Sequence, residues 1–223
     1  MEWVFLEETD STNRVAKELA RQGAPHGTAV LAQRQSAGRG RLGRAFFSPE
    51  GGLYLSVILR PQCPTEDLPL MTPMAAVAVC RALEETLRVS PGIKWVNDLY
   101  LGGKKLCGIL CEMAGGAVIV GIGLNLRTPE GGFPPDIPAT ALDVPVDRQA
   151  LAEAIGKQLL RPGDFLAEYR QRCLLLGRNV TVHPVTGASY EALALEIDGR
   201  GRLVVENSRG REALDSGEVS VRF

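Results

Sequence analysis

The stretch Gly92–Leu126, GIKWVNDLYLGGKKLCGILCEMAGGAVIVGIGLNL, constrains the fold more than any other part of the chain. Its apolar and β-branched runs are cut by two glycine pairs, Gly102-Gly103 and Gly115-Gly116. Paired glycines supply the positive φ angles of tight hairpin turns, so the pattern predicts a β-meander. Its first hairpin is expected to pair residues 93–101 with 105–113. Residues 68–88 (LPLMTPMAAVAVCRALEETLR) are apolar nearly all round in their first half and two-faced in the second, which describes a helix packed across a sheet.

Upstream, residues 3–6 (WVFL) read as a short strand. Asp10, Ser11 and Thr12 offer N-cap chemistry to a helix over NRVAKELARQ that places Val15, Leu19 and Ala20 on one face and ends near Gly23. Residues 28–35 (TAVLAQRQ) predict a strand leading into AGRGRLGR, too rich in glycine for helix or strand and therefore a loop. Residues 53–61 alternate as a strand, closed by Pro61 and Pro64. Residues 127–139 (RTPEGGFPPDIPA) lack any period and predict a mobile surface loop. Helices are expected around 147–160 and 163–176, ended by Gly177.

Beyond Gly177 the helical period vanishes, and short alternating runs (NVTVHPV, YEALALEID, RLVVEN, REAL, EVSVRF) predict a small barrel or sheet. The domains expected are therefore 1–176 and 177–223, and the second is too short to bury much core, so it should lean on the first. The fold class that results is α+β: a mixed sheet flanked by helices, with a small C-terminal β-barrel.

Charge weighs against one class of function. Lys and Arg total 25 against 26 for Asp and Glu, a net charge of -1, so no global positive field drives binding to nucleic acid. The 5 cysteines, Cys63, Cys80, Cys107, Cys111 and Cys173, contain no CxxC pair and read as thiols of a reducing, cytoplasmic compartment. Cys107 and Cys111 have no histidine nearby to complete a zinc site. The acidic N-terminus has no secretory pattern, and no apolar run reaches the ~18 residues of a membrane span. His26 and His183 lie in turns without triad or metal partners.

Two segments carry chemistry. Gly38-Arg39-Gly40-Arg41-Leu42-Gly43-Arg44 combines glycines, which admit close backbone approach, with guanidinium forks that match phosphate or carboxylate oxygens. Such a loop suits an anion; the plainer reading is a solvated basic turn. Lys94-Trp95-Val96-Asn97-Asp98, followed by Lys105 and Gly108, can present polar groups on one face of a hairpin, where the plainer reading is a solvated turn.

Together these segments resemble the biotin protein ligases, which carry GRGRxGR and KWPND...KxxGIL motifs. The likeness extends in order through Asp10-Ser11-Thr12-Asn13, Gln35, Phe46-Phe47-Ser48-Pro49, Gly121-Ile122-Gly123-Leu124-Asn125 and the C-terminal β-domain, essentially the whole chain. Val96 stands where the family usually has proline, and Phe46 where tryptophan is common.

The resemblance implies a catalytic domain like the class II synthetases with an SH3-like C-terminal barrel. It also implies a carbon-nitrogen ligase that activates biotin with ATP and magnesium, then transfers it to a lysine of a biotin carboxyl carrier protein domain. Ser11, Thr12, Asn13, Gln35, Arg39, Gly40, Arg41, Lys105 and Gly108 would hold biotin; Arg41, Arg44, Phe46, Lys94, Asn97, Lys105 and Asn125 would hold the nucleotide. Lys105 and Arg39 would serve adenylation, and Asp98 the acceptor amine. The 127–139 loop is either a lid over the adenylate or a connector.

Because Ser11 falls so near the start, no DNA-binding domain of ~60 residues is expected ahead of it, and hence no repressor activity. Relatives include monomers and dimers, with a homodimer the favoured expectation. The rivals are a lipoate ligase or octanoyltransferase of the same fold, and a nucleic-acid binder using the Arg-Gly loop.

Overall fold

The computed structural model describes residues 1–215 and 219–222. One mixed sheet holds β1 (Trp3–Thr9), β2 (Ala29–Gln35), β3 (Gly52–Leu59), β4 (Gly92–Lys94), β5 (Asp98–Leu101), β6 (Lys104–Ala114) and β7 (Ala117–Asn125). Their order across it is β1-β2-β3-β7-β6-β5-β4, and β1 and β2 run parallel while every other neighbouring pair is antiparallel. Both glycine pairs turn hairpins, with all four residues at positive φ.

The sheet is covered on both faces. The short helix α1 (Thr12–Arg21) packs Ala16 and Ala20 against Val30, Ile58, Ala114, Ala117 and Ile119 on one face. On the other, α2 (Met71–Leu87), α3 (Arg148–Leu160) and α4 (Leu166–Arg172) enclose the main core. The expected alternation in β3 is therefore absent: all eight of its residues are buried, because both of its faces are covered.

The α1 expectation holds for the helix and fails for its cap. Ser11 occupies the N-cap position but its side chain makes no capping hydrogen bond, and Val15 and Leu19 are only half-buried beside Ala16 and Ala20. The 68–88 helix begins as a 3-10 turn over Thr65–Leu70 and becomes α-helical at Met71. The last predicted helix stops at Arg172, where the chain instead joins the sheet edge: Cys173 bridges to Ile93, and Leu174 N–H donates to Ile93 O at 2.8 Å.

A larger correction concerns residues 93–101. They form two strands, β4 and β5, that fold back on each other with Lys94 opposite Asp98, joined by a turn at Trp95, Val96 and Asn97 that contains a cis Trp95–Val96 peptide. Asn97 belongs to the next strand's ladder: its Nδ2 donates to Ile109 O, and its carbonyl accepts from Ile109 N–H, both at 2.9 Å.

The C-terminal residues form a second, antiparallel sheet of β8 (Asn179–Pro184), β9 (Tyr190–Ile197), β10 (Leu203–Asn207), β11 (Gly210–Leu214) and β12 (Val219–Arg222), ordered β11-β10-β9-β8-β12. Its inward side chains, among them Val180, Val182, Ala194, Ile197 and Leu203, join the main core rather than forming a separate one. A unit this small gains most of its apolar burial from its neighbour. Among the described residues no helix is long and apolar enough to cross a membrane.

Candidate functional site

The site arises because α1 covers only half of its face of the sheet. Side chains on one face recur every second residue. Along β7 the positions under α1 are Ala117 and Ile119, and the next two on that face are Gly121 and Gly123. On β6 the matching row runs Ala114, Glu112, Leu110, Gly108, with Gly108 opposite Gly123 and Leu110 opposite Gly121. Beyond the N-terminus of α1 the floor is thus glycine at three of these four positions, with Leu110 the fourth. A Cβ on Gly121 would lie 2.2 Å from Asn13 Oδ1, and one on Gly123 2.4 Å from the Phe46 ring. Glycine is what lets those two side chains rest on the sheet.

The Arg-Gly segment roofs this floor. It is not a formless loop but a small hairpin: Arg39 bridges to Ala45, Phe46 N–H donates to Gly38 O at 2.9 Å, and Gly40 N–H to Arg44 O at 2.7 Å. A 3-10 turn over Arg41–Gly43 forms its tip, with Leu42 at φ 55°. A Cβ on Gly38 would stand 2.3 Å from Ser48 Oγ, so only glycine fits the hairpin's base. Arg41 reaches inward, donating Nη1–H to Asn97 Oδ1 at 3.1 Å, while its buried Nη2 has no hydrogen-bond partner. Burial pulls this guanidinium below its usual pKa, and the nearby Asp98 carboxylate opposes the fall.

The β4–β6 side contributes the remaining charge. Lys105 Nζ lies 2.8 Å from Asp98 Oδ1, an ion pair outside hydrogen-bond geometry, and 5.8 Å from the centroid of the Phe46 ring. Lys94 Nζ sits 5.6 Å from the Tyr100 ring centroid. Arg39, Arg41, Arg44, Lys94 and Lys105 all line the cavity, against Asp98 as its one carboxylate among the described residues. That imbalance makes it an anion site.

The far wall is neutral and hydrogen-bonded. Ser11, Thr12 and Asn13 line it from the start of α1, and Gln35 from the end of β2. Gln35 Oε1 accepts the Thr12 N–H at 2.9 Å, and Gln35 Nε2 donates to Ser48 Oγ at 3.0 Å. Gly40, Phe46, Asn97 and Gly108 line the same cavity.

Asn125 alone among the expected site residues stands outside that lining. Its Nδ2 donates to Thr140 O at 2.9 Å, at the end of the Pro-rich segment. That segment is laced to the site strand: Lys105 N–H donates to Pro138 O at 3.0 Å and Thr140 N–H to Lys105 O at 2.9 Å. Trp95, Ile109, Leu110, Gly121, Ile122 and Gly123 also line the cavity, and sequence reasoning did not place them there. The signal was available in the two-residue period of β6 and β7, which puts glycine at consecutive positions of one face.

Residues 5–128 match the Biotin/lipoate A/B protein ligase family and residues 175–222 the Biotin protein ligase C terminal domain, and the chain belongs to this family. Within it, the similarity runs to biotin protein ligases. A bifunctional ligase/repressor of Bacillus subtilis is 32% identical over 98% of this chain and 73% of its own. The biotin–acetyl-CoA-carboxylase ligase of Paracoccus denitrificans is 32% identical over 96% of this chain and 98% of its own. The biotin protein ligase from Aquifex aeolicus, solved in complex with biotin and ATP, superposes with a TM-score of 0.86 at 30% identity, covering 99% of this chain and 98% of that one.

Proposed function

We propose that this chain joins biotin to a carrier protein in two steps within the one cavity. In the first, a biotin carboxylate oxygen attacks the α-phosphorus of ATP, and pyrophosphate leaves from biotinyl-AMP. Two anions must meet, so the protein's work is alignment and charge neutralisation. No general base is needed, because a carboxylate of pKa ~4 is already ionised. The observation that carries this reading is Arg41 Nη2, a buried donor without a partner at a cavity that also holds Lys105. A buried guanidinium nitrogen left unpaired is costly unless an anion satisfies it.

Lys105 bridges the carboxylate and the phosphate, giving up its Asp98 contact as it does so, with Arg39 beside it. Ser11, Thr12, Asn13, Gln35, Gly40 and Gly108 receive biotin's uncharged end. Arg44, Phe46, Lys94 and Asn97 hold the nucleotide, and Asn125 acts on it through the segment it anchors. Magnesium enters with ATP as part of that substrate. Among the described residues no group of three or more His, Cys, Asp or Glu could hold a metal, and the cavity's one carboxylate faces Lys105.

In the second step the ε-amine of an acceptor lysine attacks the biotinyl carbonyl, and AMP leaves with the anhydride electrons. That amine, of reference pKa ~10.4, must be neutral to attack. Asp98, released from Lys105, orients it and accepts its proton. The acceptor is a carboxyl carrier domain of a biotin-dependent carboxylase, met in the cytoplasm. The two parts of the chain, 1–176 and 177–223, act as catalytic and supporting domains.

The test is pyrophosphate release from magnesium ATP with biotin, lipoate, octanoate or no acid. Release with biotin alone is expected. Release with lipoate or octanoate instead refutes the substrate, and silence with every acid refutes the activity.

A further inference from the structure

Asn97 links the Arg-Gly hairpin to the turn between β4 and β5, and its amide cannot turn over. Its Nδ2 donates to Ile109 O at 2.9 Å, and a carbonyl can only accept, so Nδ2 must face β6 and Oδ1 must face away from it. The main chain of the same residue is held as well, because Asn97 O accepts Ile109 N–H at 2.9 Å. Oδ1 therefore stands at a point fixed by β6, whatever Arg41 does. Arg41 has no such anchorage of its own. It starts the tip of the hairpin, where Leu42, Gly43 and Arg44 are exposed. Among the described residues its guanidinium makes one hydrogen bond, from Nη1–H to Asn97 Oδ1 at 3.1 Å, and its buried Nη2 is left unpaired at the cavity.

A second partner competes for Arg41. Asp98 follows Asn97 in the chain, lines the same cavity and lies near enough to favour the charged guanidinium. A carboxylate satisfies a guanidinium through two parallel hydrogen bonds and cancels its charge, whereas an amide oxygen takes one donor and cancels nothing. Were Arg41 paired with Asp98, Nη2 would have a partner, the cavity would lose one positive charge, and Lys105 would lose the Asp98 contact it makes at 2.8 Å. The observed arrangement avoids all three, because the neutral oxygen takes Arg41 and the carboxylate takes Lys105.

We infer that Asn97 is a positioning residue that holds Arg41 on a neutral acceptor, so that its charge and its second nitrogen stay available to the anionic group of a ligand instead of being neutralised by Asp98. The inference rests on the biotin-ligase reading above and deepens it. Asn97 serves the ligand through Arg41, and the group served is a phosphate of the nucleotide or the carboxylate of the acid.

The test is calorimetric affinity for two pairs of probes that differ in charge, ATP with adenosine and biotin with its alcohol, in the parent, Asn97→Ala, Arg41→Met and the double variant. Asn97→Ala is expected to bind ATP, biotin or both on the order of tenfold more weakly, the worth of one hydrogen bond to a charged group, with adenosine and the alcohol within about twofold of the parent. The anion that loses affinity is the one Arg41 meets. Beside Arg41→Met the same replacement should change affinity by less than about twofold, because the residue it acts through is gone. Parent-like affinity for both anions overturns the inference. So does an equal loss for charged and uncharged probes, which marks a loosened turn, and so does a tenfold loss that persists beside Arg41→Met, which marks a direct contact. Asn97→Ser, which stops one bond short of Arg41, repeats the test if Asn97→Ala does not fold. A parent protein that binds neither ATP nor biotin refutes the functional reading itself and the inference with it.

Discussion

Replacing Tyr169 with phenylalanine removes one oxygen atom behind the site. Tyr169 on α4 is fully buried, and its hydroxyl donates to the carbonyl of Val96 at 3.1 Å, in the turn that precedes Asn97 and Asp98. Val96 is itself 3% exposed, so water does not replace the lost donor at no cost. A buried carbonyl stripped of its donor costs about 1–3 kcal/mol. For a chain of this size each kcal/mol lowers Tm by about 2–4 °C, so a fall of roughly 2–12 °C is expected at neutral pH.

The pH dependence sharpens the test. Burial raises the Tyr169 phenol well above its ordinary value, so the folded protein keeps that proton at a pH where the unfolded chain has released it. Stability from this group is complete below the unfolded pKa of ~10 and falls by about 1.4 kcal/mol per pH unit above it. The variant has no such proton. The difference between parent and Tyr169→Phe, measured by urea unfolding, is therefore largest near pH 8 and narrows as pH rises past 10. A variant with parent-like Tm at neutral pH, or a difference that stays constant from pH 8 to 11, refutes the reasoning.

Three further outcomes follow from the site. Lys105→Met should lower biotin-dependent pyrophosphate release on the order of 10²–10³-fold, since it removes charge from the point where two anions meet; parent-like release would mean another cation does that work. Gly123→Ala places a methyl where Phe46 Cε1 stands 2.4 Å away, so the ring must leave the floor, and KM for ATP should rise about tenfold while the fold, read by circular dichroism, persists. Burial pushes the Cys111 thiol up to about 11 and Cys80 up to about 12, so iodoacetamide at pH 8 should label both slowly in the native protein and rapidly in urea, as peptide mapping by mass spectrometry would report.

The parts of this molecule that were legible in the sequence are those governed by local chemistry. Gly102-Gly103 and Gly115-Gly116 dictate hairpins wherever they stand between apolar runs, and both do so here. The change from helix to strand, with α4 ending at Arg172 and β8 starting at Asn179, was legible for the same reason, because it separates two periods. Residues 93–101 read as one strand because neither glycine nor proline marks the turn at Trp95–Asn97, where Trp95 and Val96 continue the apolar run. Its geometry is imposed by distant partners, Ile109, Tyr169 and Gly201. Ser11 looked like a cap because its type favours that role, but in the fold it faces the cavity. The contacts of Ser56 and Glu112 with Asn13 were invisible for a related reason: each sits inside an apolar strand, and only the pairing of β3 and β6 around β7 brings them under the start of α1.

That same turn explains why a sheet of a few short strands is attached to this catalytic fold. The Trp95 indole is 4% exposed and donates Nε1–H at 3.0 Å to Gly201 O, in the tight link between β9 and β10. The link is itself rigid, because Asp198 Oδ1 accepts the backbone N–H groups of Arg200 and Arg202, at 2.8 and 3.0 Å, and Gly201 holds φ at 75°. A Cβ on Gly201 would lie 3.0 Å from Leu70 and 3.2 Å from Pro73, so the link seats in a notch at the start of α2. Tyr169 holds the next residue from α4, and Ile109 holds Asn97 from β6. The short turn that delivers Asn97 and Asp98 to the cavity is thus clamped by three separate parts of the chain, one of them the second sheet. A side chain placed on so brief a turn keeps its aim only if its supports do not move. The C-terminal sheet is therefore structural support for the site, acting through Trp95 from behind the cavity wall.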